Sequence, residues 1–195
     1  MYISYIISKK LTSLLQDNDY IKAQDFEACL YCLDYIVEMF LFFCTSFVIS
    51  MFLHAPFLSL TYFIILLLLR SNCGGYHASS RALCTVLSYI FFFLAFLLMK
   101  FYLFLPNYMM ITNMVINTFL IFIQPKTISA KRNFLSEQHK KQKRYRKMIS
   151  ISLLITFMII YNLGFELLAS AIVSCTTISV INLFLARYTS SKNEK

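Results

Sequence analysis

The stretch FLSLTYFIILLLLRSNCGGYHASSRALCTVLSYIFFFLAFLLM, residues Phe57–Met99, holds a polar segment, Arg70–Cys84, between two apolar runs, Phe57–Leu69 and Leu83–Met99. Runs of that kind belong in hydrocarbon, and the segment between them is polar chemistry at a membrane face. It carries His77, Cys73 and Cys84, Arg70 and Arg81, and two of the three glycines in the chain, Gly74 and Gly75. A proton-transfer group and thiols are costly to keep beside a membrane without a use, so function is sought here first. The run before Arg70 has only thirteen residues. That is short of the roughly 20 a perpendicular helix needs, so it continues into the polar segment or is tilted or re-entrant.

Further apolar runs lie at Tyr35–Leu53, Phe101–Ile123, Met148–Leu163 and Phe165–Ala186. Six runs in 195 residues, with 59% hydrophobic content, 14% charged residues and a mean hydropathy of +0.67, exclude an ordinary soluble domain. They predict an all-α integral membrane protein of about six short transmembrane helices. In Met1–Leu15 the residues Ile3, Ile7, Leu11, Leu14 and Leu15 recur at helical spacing with Lys9 and Lys10 among them, which predicts an N-terminal amphipathic interfacial helix rather than a signal peptide. One membrane domain, 1–195, is expected. It comprises an interfacial helical segment 1–34, four spans over 35–123 that include the motif 70–84, a basic loop 124–147, two spans over 148–186 and a tail 187–195.

Orientation follows from the cations. The N-terminal segment has three, Arg70 and Arg81 flank the motif, Gln124–Lys147 has nine and the tail has three, which leaves only Lys100 for the intervening turns. Alternating spans then put both termini, the motif and the basic loop on the cytoplasmic side of the cell membrane. The run from Lys140 to Lys147 would draw anionic lipid headgroups at about 1 kcal/mol per basic residue, or dock an acidic segment of a substrate. No nucleic-acid partner is expected.

Cys44 and Cys175 lie inside apolar runs, while Cys29, Cys32, Cys73 and Cys84 fall on the cytoplasmic side, so reduced thiols are expected. Cys29-x-x-Cys32 has the spacing of a redox or metal clip, but it sits in a periodic helical stretch with no second pair of matching spacing, which favours a structural role.

A thiol becomes a good nucleophile when a neighbouring base or positive charge stabilises its thiolate, and His77, Arg70 and Arg81 are the nearby groups able to do so, with Cys84 the better placed cysteine. His77 and Cys84 would share one face of a continuous helix but stand about 10.5 Å apart along it. A working pair therefore requires the Gly74-Gly75 side to fold His77 back toward Cys84 at the start of the next span. Backbone N–H groups there would help to stabilise a thiolate and an oxyanion. The competing reading makes His77 a boundary histidine and Cys84 a small apolar filler. Cys73, His77 and Cys84 also form a C-x3-H-x6-C pattern, but no fourth ligand follows at usual spacing, so neither a metal nor a cofactor is expected. Glu38 and Glu166, inside apolar runs, are read as buried polar contacts.

The chain resembles the accessory gene regulator B (AgrB) family of membrane-embedded cysteine endopeptidases in Gram-positive quorum sensing. The resemblance rests on its size, its six apolar runs, the Arg70…Gly75-Tyr76-His77…Cys84 motif, and Pro125-Lys126 opening a basic segment. It implies Cys84 as nucleophile, His77 as its base, Arg70 and Gly75 as supporting positions, and Pro125, Lys126, Lys131 and Arg132 as substrate contacts. The multi-lysine cluster of the family is thinner here. The implied substrate is an AgrD-like propeptide with an acidic C-terminal tail. Removal of the tail leaves an acyl-thioester that an internal Cys or Ser resolves to a thiolactone or lactone ring. The resemblance also implies a homodimer.

A second class of function is a small membrane transporter or exporter of a peptide with no proteolytic activity, suggested by the helix-rich composition and by Asn113, Asn117 and Asn162 within spans. Transport that survives loss of both His77 and Cys84 would favour it.

Overall fold

The computed structural model describes residues 3–73, 81–123 and 136–193, and side-chain surroundings for 4–69, 83–123, 144–186 and 188. The described residues are helical apart from short turns: α1 (Ile3–Asp17), a 3-10 turn (Ala23–Asp25), α2 (Phe26–Phe52), α3 (Pro56–Cys73), α4 (Arg81–Phe104), α5 (Asn107–Ile123), α6 (Ser136–Asn162) and α7 (Glu166–Asn193). Among the described residues three helical stretches are long and apolar enough to cross a membrane, Ala23–Phe52, Leu83–Phe104 and Glu166–Ala186, while Pro56–Leu69 and Asn107–Ile123 are shorter apolar helices. The chain forms two compact units, Met1–Phe52 and Leu53–Lys195.

In the first unit α1 packs on α2. The buried residues of α1 are Ser4, Ser8 and Thr12, four apart, whereas Ile6, Ile7, Leu11 and Leu14 are exposed. Two of these hydroxyls donate within their own helix, Ser8 Oγ to the Ser4 carbonyl (2.8 Å) and Thr12 Oγ1 to that of Ser8 (2.7 Å), so neither presents an unmet donor to a neighbour. Small residues inward and large apolar residues outward is the arrangement that lipid favours, because packing rather than dehydration holds helices together there. Asp19, at φ +57, turns the chain away from α1, with the Tyr20 N–H donating back to the Leu15 carbonyl (2.9 Å). The next long helix, α2, starts at Phe26, nine residues before the apolar run suggested, and its buried positions include Asp34 at 3% exposure.

In the second unit α7 is the common partner of α3, α4, α5 and α6. All eight residues from Ala169 to Thr176, ASAIVSCT, are buried. Their small volumes let four helices approach one axis, and the hydroxyls of Ser170, Ser174 and Thr176 donate within α7. The surrounding helices each contribute a stripe at helical spacing: Leu58, Tyr62, Ile65 and Leu69 from α3, Phe92, Ala95, Met99 and Tyr102 from α4, Met110, Met114, Asn117 and Ile121 from α5. Tyr62 of α3 meets Phe92 of α4 edge to face, with centroids 5.6 Å apart.

Two boundaries differ from the apolar runs. The runs divide at Lys100, but α4 continues to Phe104, and the Lys100 ammonium lies 5.7 Å from the Phe96 ring centroid on its own helix. The break falls at Leu105-Pro106, where proline disfavours helix in the residue before it and offers no N–H of its own. The basic run 140–147 lies within α6 and is continuous with its apolar half. That helix ends at Gly164, whose φ of +79 lets the Phe165 N–H reach the Ile160 carbonyl (3.3 Å) and the Gly164 N–H that of Tyr161 (3.1 Å) before α7 begins.

Candidate functional site

Cys84 is the fourth residue of α4. Its thiol is free and half-buried. Along α4 the buried stripe Tyr102, Met99, Ala95 and Phe92 continues through half-buried Ser88 to Cys84, while Leu83 and Val86 on either side are exposed. The thiol therefore stands on the stripe that α4 turns to the bundle and not on its outer face. Ser88 Oγ donates to the Cys84 carbonyl (3.0 Å), so that hydroxyl is engaged with backbone one turn along.

Arg70 lies in the last turn of α3 and Cys73 ends that helix. The other sequence-derived positions, Gly75, His77, Pro125, Lys126, Lys131 and Arg132, lie outside the described residues, and so does the His77–Cys84 pairing. Among the described residues no group of three or more His, Cys, Asp and Glu side chains could hold a metal ion.

The basic segment of α6 sorts its charges by face. Arg144 is exposed, and Lys147 places its ammonium 4.4 Å from the Phe122 ring centroid on α5. Arg146 is 6% exposed and begins a buried stripe with Ser150, Leu153 and Phe157. The sequence reading treated this run as a uniform patch. The signal that separates Arg146 is its spacing of four, seven and eleven residues from those three positions.

Asp34 was also missed, and it stands one turn before half-buried Glu38 on α2. Glu166 is not the buried contact expected of it. It is exposed at the first turn of α7, where a carboxylate complements the helix dipole.

The asparagines that suggested a transport path are committed to other bonds. The Asn113 side-chain amide donates to Tyr102 Oη on α4 and to Thr177 Oγ1 on α7 (3.3 Å), and the Asn117 amide donates to the same Thr177 oxygen (2.8 Å). Thr177 in turn donates its one proton to the Val173 carbonyl (2.8 Å). This cluster joins three helices. Asn162 donates to the Met158 carbonyl at the end of α6 (2.7 Å). Thr177→Val deletes the shared acceptor and strands two amide donors, so a loss of about 1–2 kcal/mol is expected in reversible unfolding in mixed micelles. An unchanged unfolding midpoint would show that the cluster does not hold the helices.

A family model described as Accessory gene regulator B matches residues 8–190, nearly the whole chain. No curated protein and no solved structure matches it.

Proposed function

Because the chain belongs to the accessory gene regulator B family, whose members take part in processing a quorum-sensing propeptide, we propose that it is a membrane cysteine endopeptidase with Cys84 as nucleophile. The observation that carries this is the free, half-buried thiol in the first turn of α4, on the stripe that faces the bundle.

In the proposed reaction His77 removes the Cys84 proton and the thiolate attacks the scissile carbonyl of an AgrD-like propeptide. The C–N bond breaks, the imidazolium returns its proton to the leaving amine, and the peptide remains on sulfur as a thioester. An internal Cys or Ser of the propeptide then gives its proton to His77 and attacks that carbonyl, the C–S bond breaks, the Cys84 sulfur takes the proton back, and a thiolactone or lactone closes. A thioester keeps the acyl group reactive, and exclusion of water favours ring closure over hydrolysis. Arg70 and Gly75 support the motif. Pro125, Lys126, Lys131 and Arg132 dock the acidic tail, to which a chain of net charge +9 is complementary. The cation distribution supports a multi-pass arrangement with the site and both termini cytoplasmic and the basic segments against anionic headgroups; the family resemblance adds a homodimer in a Gram-positive membrane.

Intact mass of the protein in lipid, after incubation with an amphipathic, acidic-tailed propeptide, tests the scheme. A hydroxylamine-labile adduct is expected on the native chain and on Cys73→Ala, absent from Cys84→Ala and suppressed in His77→Ala. An adduct retained by Cys84→Ala would overturn the assignment.

A further inference from the structure

The outward face of α6 carries cations at one end and a groove further along. At the helical repeat of 3.6 residues per turn, Arg144, Lys147, Ile151, Leu154, Ile155 and Met158 fall within about 100° of one another. The buried stripe that begins at Arg146 occupies a different side of the helix. Ile151, Ile155 and Met158 are exposed, and a shallow, open groove formed by this helix and its end runs along Leu154, Ile155, Met158, Ile159, Asn162 and Leu163. Lys147 is fixed over the Phe122 ring of α5. The ring occupies one side of an ammonium that has three donors, so the remaining N–H groups stay available to an oxyanion.

We propose that this face binds one anionic phospholipid, its phosphodiester at Lys147 and Arg144 and an acyl chain laid along Ile151 and Ile155 into the groove. The distances fit a single leaflet. Half of a hydrocarbon core is about 15 Å, and at 1.5 Å per residue Lys147 stands about 12 Å along the axis from Ile155 and about 17 Å from Met158. A headgroup at Lys147 thus brings its chain terminus into the groove. Charge complementarity selects the occupant, since an apolar stripe alone takes any lipid, whereas Lys147 and Arg144 at its head favour a phosphodiester that carries net negative charge over a zwitterion. The site rests on the chain lying in a bilayer and not on the proteolytic reading.

The sequence contains no tryptophan, so Met158→Trp supplies a single reporter in the groove and Phe93→Trp one on the exposed face of α4. Each variant is reconstituted in phosphatidylcholine vesicles, and quenching by dibrominated phosphatidylglycerol is compared with quenching by dibrominated phosphatidylcholine at equal mole fraction. Phosphatidylglycerol is expected to be preferred about fivefold at position 158 and not at position 93, with the preference at 158 removed by Lys147→Gln. Equal preference at the two reporters would reduce the effect to general attraction by a basic surface. A preference at 158 that survives Lys147→Gln would remove Lys147 from the site. Either result overturns the proposal.

Discussion

Cys84→Ala is expected to lower the rate of propeptide cleavage by at least about 10⁴-fold, because removal of an attacking nucleophile leaves only what binding and backbone dipoles contribute. The fold should hardly notice. Cys84 is half-buried near the start of α4, so loss of one sulfur costs less than about 1 kcal/mol. Cleavage followed by mass, together with the unfolding midpoint of the same sample, separates chemistry from folding. Cys73→Ala, at the end of α3, keeps the rate if the nucleophile is assigned correctly. Cleavage by Cys84→Ala within tenfold of the native rate would return Cys84 to the role of a small apolar filler.

The second large effect is structural. Ser174 is fully buried in the middle of α7, where its hydroxyl donates only to the Ala171 carbonyl of the same helix (2.9 Å). Ser174→Ala therefore costs less than about 1 kcal/mol, since no bond to another helix is lost. Ser174→Phe places a ring at a position with no exposure, in the helix on which four others pack. Overpacking of this kind costs about 3 kcal/mol or more, because a whole helix has to move to admit the ring. Unfolding of the two variants in mixed micelles should differ by that amount, and equal midpoints would show that α7 is not tightly held.

The sequence revealed the helices better than the faces on which they pack. Long apolar runs are unmistakable, since a bilayer tolerates little else, and the runs at Phe57, Leu83 and Phe165 correspond to α3, α4 and α7. A lone charge misled at Lys100, which rests over Phe96 without interrupting α4, whereas Pro106 stops the helix by removing a donor. The inner face of α1 was not legible, for a deeper reason. Apolar spacing marks the buried face of a helix in water, but in this chain Ser4, Ser8 and Thr12 are buried while Ile7 and Leu11 are exposed. The same inversion hid the central position of α7, whose small-residue run ASAIVSCT was the available sign. Cys84 was legible from its surroundings in the chain. That its thiol shares a stripe with Ser88 and Phe92 was not, because the face a helix turns inward is decided by its neighbours. Asp34 escaped because it precedes the apolar run, although α2 already includes it.

The arrangement around α7 also has a consequence for biosynthesis. A ribosome makes α3, α4, α5 and α6 before the helix on which all four pack. At about 5–20 residues per second, α3 waits on the order of 6–24 s for the end of α7 to be translated. During that interval the Asn113 and Asn117 amides lack Thr177, and the four early helices have only one another and lipid for company. A nascent chain halted before residue 166 is thus a loose set of apolar helices, open to proteases and to mispairing with a second nascent chain. The helix made last is the step that closes the bundle.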